Sequence, residues 1–210
     1  MGLPARITAA LIVGFARAVT AVRGEWRDIA PVPGQRIYFA NHNSHGDFVL
    51  VWTVLPLALR SRARPVAGAD YWLTSKLKSF IGKDVFNALL IDRNPETRTA
   101  DPVAQMSTAL TNGDSLILFP EGTRNTGQAR LLSFKSGLFH LASKKPEIDM
   151  VPVWIENLNR VMPKGALVPI PLICTVTFGA PIRLEAGEDK ADFLARAERA
   201  LLTLAPDEKN

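Results

Sequence analysis

Two short polar strings in this chain each follow an apolar run and carry side chains able to do chemistry. The first is Asn41-His42-Asn43-Ser44-His45-Gly46-Asp47, directly after Ile37-Tyr38-Phe39-Ala40. The second is Phe119-Pro120-Glu121-Gly122-Thr123-Arg124-Asn125, directly after Ser115-Leu116-Ile117-Leu118. A strand that ends in a polar loop is where an α/β sheet builds its sites. In the first string, Gly46 allows a tight turn. Across that turn the Asp47 carboxylate can fold back onto the His42 imidazole, fix its tautomer and leave the other ring nitrogen to take a proton from an alcohol. The same residues have a purely structural use, because Ser44-x-x-Asp47 has the spacing of a capping box before an apolar helix. His45 is the weaker base, since no acid sits at a matching distance.

The second string is an anion grip. Gly122 lets backbone amides approach a ligand, and Arg124 can hold a phosphate through two parallel hydrogen bonds. Glu121 can accept from a substrate hydroxyl or pair with an arginine, and Thr123 lies between the gripping residues. Alternatively, the string is a plain β-turn with a surface ion pair. Ile91-Asp92-Arg93-Asn94 repeats the arrangement after Ala88-Leu89-Leu90, and Lys135 adds a third cation near a predicted helix start. A base beside such a grip suits acyl transfer onto a phosphorylated alcohol.

These strings need a scaffold, and the rest of the chain supplies one. Its 210 residues, 47% of them hydrophobic, are enough for one domain with a sizeable core. Likewise, the apolar runs are continuous rather than alternating, as for strands covered on both faces. Strands are predicted at 36–40, 65–69, 88–92, 115–119, 150–155 and 172–178, and helices at 4–22, 46–60, 73–81, 97–111, 133–144 and 189–204. That order predicts an α/β fold, a mostly parallel mixed sheet flanked by helices. Pro152 predicts an edge position or a bulge for its strand. Residues 158–171, rich in proline, read as a loop. Residues 1–34 read as an N-terminal amphipathic helix and linker, and 35–210 as the catalytic domain. Ile7, Leu11, Phe15, Val19 and Val22 fall at helical spacing, with Arg6, Arg17 and Arg23 placed to meet lipid phosphates. Arg60, Arg62 and Arg64 suit either anionic lipid or a helix C-terminus.

The net charge of +5 and a pI near 9.6 favour anionic partners. Mean hydropathy is +0.08, which leaves room for apolar surface facing lipid. Cys174 is the only cysteine, so no intrachain disulfide forms. Nor do the three histidines and one cysteine show paired metal-ligand spacing. The chain lacks a Gly-x-Ser-x-Gly elbow, a phosphate-binding Gly-Lys-Ser/Thr loop and a dinucleotide fingerprint. Aromatic residues do not interleave with the basic ones, which argues against nucleic acid.

His42-x4-Asp47, Ile91-Asp92-Arg93, Phe119-Pro120-Glu121-Gly122-Thr123-Arg124 and Val151-Pro152-Val153 occur in one order, over roughly residues 35–183. In this the chain resembles the glycerolipid acyltransferases of the 1-acylglycerol-3-phosphate type. The second block departs from the family, which often has Gly and an aromatic where Ala88, Leu89 and Leu90 stand. The resemblance implies that His42 is the general base, with Asp47 its partner. It implies that Arg93, Glu121, Gly122, Thr123 and Arg124, with Lys135 nearby, bind the phosphorylated acceptor, and that Pro152 shapes the acyl-donor side. It further implies phospholipid biosynthesis at the cytoplasmic face of the cell membrane, by a peripheral or monotopic enzyme. Acyl-CoA or acyl-carrier protein would be co-substrate, with neither metal nor prosthetic group. Other acceptors fit the same chemistry, such as a lyso-ornithine lipid or another lysophospholipid. A non-catalytic lipid-binding membrane protein would keep the N-terminal helix without needing His42 and Asp47.

Overall fold

The computed structural model describes residues 2–94, 96, 98–156 and 173–206; the loop expected at 158–171 lies outside them. Among these residues seven strands form one sheet: β1 (Arg23–Trp26), β2 (Arg36–Ala40), β3 (Ala63–Gly68), β4 (Leu89–Ile91), β5 (Ser115–Leu118), β6 (Asp149–Glu156) and β7 (Thr175–Phe178). Their spatial order is β1-β7-β6-β2-β5-β3-β4. The β6–β7 pair is antiparallel and every other neighbouring pair is parallel. The architecture is therefore the mostly parallel α/β sheet expected.

The apolar runs become central strands because both faces are covered. Tyr38, Ala40, Ile117, Val151 and Val153 face one core, which takes in α1 (Leu3–Thr20) and α2 (Asp47–Val54). Ile37, Phe39, Leu116, Leu118 and Met150 face the other, built on α6 (Pro102–Thr111), α7 (Gly137–Lys144) and α8 (Lys190–Leu202). Shorter helices α3 (Leu57–Arg60), α4 (Ala69–Trp72) and α5 (Lys76–Phe80) join them, and α5 runs into a π-helical turn at Ile81–Val85.

Several boundaries follow local chemistry. Asp101 caps α6 by accepting from the backbone N–H groups of Val103 and Ala104, with Pro102 at the first position. The predicted start at 97 was thus early. The helix expected over 46–60 breaks before Pro56. Arg60 then caps the carbonyl end of α2, donating to Thr53 O at 2.6 Å and to Leu55 O at 2.9 Å. Arg62 and Arg64 turn to the carbonyls of Gly113 and Asn87. This basic cluster serves the fold.

Two expectations are corrected. Residues 23–34 are not all linker, since Arg23–Trp26 pairs in register with Thr175–Phe178. Nor is β6 an edge strand, since it lies between β7 and β2. Pro152 is accommodated because its carbonyl accepts from Gly179, just past the end of β7, at 3.0 Å. Its missing N–H faces that same side, so the ladder to β2 loses nothing.

Four of the parallel strands, β2, β3, β4 and β5, end at one edge of the sheet. The segments after them, loops for His42, Arg93 and Arg124 and the start of α4 for Asp70, carry these residues to that edge.

Candidate active site

Asp47 opens α2 and reaches backwards. Its Oδ2 accepts from His42 Nδ1 at 2.8 Å, from Asn43 N at 2.7 Å and from Ser44 N at 2.8 Å. The residue is 1% exposed, and its Oδ1 has no partner among the described atoms. A carboxylate only accepts, so in the neutral ring this contact selects the tautomer with the hydrogen on Nδ1 and the lone pair on Nε2. The capping box expected from this spacing does not form, since Gly46 is the N-cap of α2 with no side-chain cap; one Asp47 oxygen instead ties down the turn and orients the imidazole. The ring also stacks on Phe119, centroids 4.3 Å apart.

The second string clasps the first. Glu121, 1% exposed, accepts from the backbone N–H of His42 at 2.7 Å and from that of Leu132 at 2.9 Å. Asn125 N donates to His42 O at 2.6 Å. Asn41 adds a further tie to β6: its side-chain amide donates to Ile155 O and accepts from Ile155 N, at 3.0 and 2.7 Å. Glu121 is thus placed behind the site rather than facing a ligand, a correction to the expectation that it meets a substrate hydroxyl. Burial raises its pKa. Spacing gave no sign of the Asn41 and Asn125 ties, because their partners are remote or on the backbone.

A cleft of about 620 Å³ opens beside His42. Gly122, Thr123, Arg124, Lys135 and Arg93 line it, as does Arg98, which spacing did not single out. Gly122 sits at φ +72°, and a Cβ there would come within 3.2 Å of the Lys135 stem. Glycine is what lets that stem lie across the turn. Phe48, Trp72, Met106 and Leu138 give the cleft an apolar side. Among the described residues no Asp or Glu lines it, and Arg98, Arg124 and Lys135 have no carboxylate partner.

Arg93 is the exception. Its Nη2 donates to both oxygens of Asp70, at 2.8 and 3.1 Å. That hydrogen bond holds the Asp70 carboxyl below the usual range. Both side chains are more than half exposed, so the pair is weak and open to exchange. His45 also lines the cleft, stacked on Tyr71 at 5.2 Å. Burial, then the Arg124 charge, lowers its pKa. Cys174 is buried, and burial pushes its thiol up to about 11, too high for a ready nucleophile.

A pre-oriented imidazole at the mouth of a cationic, partly apolar cleft defines a class of protein. Residues 23–156 match the acyltransferase family model, and the chain belongs to that family. It is similar to the 1-acyl-sn-glycerol-3-phosphate acyltransferase of Salmonella typhimurium, with 30% identity over 182 residues, covering 80% of this chain and 66% of the relative. Similarity to the Escherichia coli protein of that name is 32% over 141 residues, covering 61% and 52%. The chain thus spans about half to two thirds of the length of these relatives. Its fold is that of the crystal structure of the 1-acyl-sn-glycerophosphate (LPA) acyltransferase PlsC from Thermotoga maritima. The TM-score is 0.70 at 19% identity, covering 98% of this chain and 83% of that one.

Proposed function

We propose that this chain moves a fatty acyl group from acyl-CoA or acyl-carrier protein to the free hydroxyl of 1-acyl-glycerol-3-phosphate, giving phosphatidate. The observation that carries this reading is the 2.8 Å His42–Asp47 pair beside a cleft lined, among the described residues, by cations and no carboxylate. His42 Nε2 takes the hydroxyl proton while Asp47 supports the imidazolium. The alkoxide attacks the thioester carbonyl, and the C–S bond breaks. The thiolate leaves with the proton returned from His42. Arg93 and Arg124 hold the acceptor phosphate so that the hydroxyl arrives oriented, with Gly122, Thr123 and Lys135 completing the grip. Glu121 supports this from behind through His42 N.

The same reading places the protein on the cytoplasmic face of the cell membrane as a monotopic enzyme. α1 is the described helix long and apolar enough to cross a bilayer by length and composition. Its small face, Ala5, Ala9 and Ala16, is buried against the domain, while Leu3, Ile7, Leu11 and Phe15 are 53–69% exposed. A helix packed along one face and apolar on the other suits lying in the interface.

The test is thiol release from palmitoyl-CoA with lysophosphatidate micelles, repeated with acyl-carrier protein as donor. Acceptor-dependent release should fall by at least roughly 10²–10⁴ in a folded His42→Ala variant. Release that survives the substitution would remove His42 as base. A native chain inactive with both donors would turn the assignment to another lysolipid, such as a lyso-ornithine lipid, or to non-catalytic lipid binding.

A further inference from the structure

We propose that residues 71–80, one lip of the cleft, are a second lipid-contacting element that seats the cleft mouth on an anionic bilayer, so that the acceptor enters from the membrane. This rests on the acyltransferase reading above and adds the route of its lipid substrate. Tyr71 and Trp72 line the cleft. Lys78 Nζ lies 4.2 Å over the Tyr71 ring, which ties α5 to the cleft wall. Leu73, which caps the end of α4, and Leu77, in α5, flank the Thr74-Ser75 junction and are 51% and 67% exposed. A single exposed leucine needs no explanation, but a pair beside a cleft mouth forms a patch.

Charge identifies the occupant. Residues 71–80 carry Lys76 and Lys78 and no carboxylate, and Lys83 and Asp84 follow in the π-helical turn. Leucines among lysines match a bilayer, where the apolar groups enter the acyl boundary and the cations meet lipid phosphates. The patch is also tied to the other apolar helix of the surface. α5 runs directly into the π-helical turn, which packs on α1. α1 itself leaves Leu3, Ile7, Leu11 and Phe15 exposed. An acidic carrier protein would satisfy the lysines but leave the leucines in water.

The experiment compares the native chain with a Leu73→Asp/Leu77→Asp double variant by cosedimentation with vesicles of equal parts phosphatidylglycerol and phosphatidylcholine. Vesicle affinity should fall by about tenfold or more, from the burial normally gained by two leucines. Acylation of lysophosphatidate embedded in those vesicles should fall in step. Acylation of a short-chain, water-soluble lysophosphatidate should stay at the native level. Unchanged vesicle binding would overturn the proposal, as would an equal loss on the soluble acceptor. Unchanged vesicle binding with weakened use of the acyl-carrier donor would assign the patch to the carrier instead. Vesicle binding is read without turnover. A native chain that binds vesicles through Leu73 and Leu77 yet acylates nothing would therefore sink the acceptor assignment and leave this surface standing.

Discussion

His42 is held at three points, its Nδ1 by Asp47, its backbone N–H by Glu121 and its carbonyl by Asn125. Arg124, in the same cleft, has no hydrogen-bond or ion-pair partner among the described residues, and Arg93 has only an exposed one. The base and the grip are thus built on opposite principles. Proton transfer depends on a ring nitrogen held within hydrogen-bond reach, so its orientation is fixed before the ligand arrives. A charged ligand is instead met by hydrated cations whose best partner is the ligand itself, and whose earlier pairings are weak.

Three substitutions probe that contrast. The largest effect belongs to Asp47→Asn. Its amide can donate to Nδ1 and so favour the wrong tautomer. The turnover number should drop by roughly 10²–10⁴ with little change in acceptor KM. Turnover within tenfold of native would mean that the turn orients His42 without the carboxylate. Next comes Arg124→Ala, which removes charge-assisted bonds to the phosphate. Acceptor KM should rise by roughly 10–100-fold, while donor KM and turnover move little. Arg93→Ala should cost less, because Asp70 already shares that guanidinium. The reverse order in a steady-state comparison would reassign the main phosphate contact.

Glu121→Gln should act mostly on stability. The amide keeps one acceptor for two backbone donors, and denaturant titration should show a loss of about 1–3 kcal/mol. Burial raises the folded pKa of Glu121 above its unfolded value. Its contribution is therefore full below the unfolded value and is lost as pH rises through the raised one. The glutamine variant should lose that pH dependence, and a variant that keeps it would place the titration on another group.

The internal strands were legible because Ile37–Ala40, Leu116–Leu118 and Met150–Ile155 are continuous apolar runs, and burial on both faces demands such runs. β1 was not. Arg23-Gly24-Glu25-Trp26 carries no such pattern, and it becomes a strand through backbone pairing with residues roughly 150 positions away. The opposite error at Pro152 has a related cause, since whether a missing N–H harms a sheet depends on where the neighbouring strand ends. On α1, helical spacing was visible, but the face that packs is the alanine side. Ile7, Leu11 and Phe15 are left exposed, while Val19 and Val22 turn partly into the core.

By itself, the sequence determined which groups exist and which lie close in the chain. It held the His42–Asp47 turn, the Arg124 string and the alternation of strands and helices, because local spacing and solvent exclusion are read one segment at a time. Only the tertiary structure decided that Glu121 would clasp His42 from 79 positions away rather than face a ligand. It alone brought Arg93, Arg98, Arg124 and Lys135 around one cleft. Those outcomes depend on which strand ends meet at one edge of the sheet, and that is set by the packing of two cores against seven paired strands.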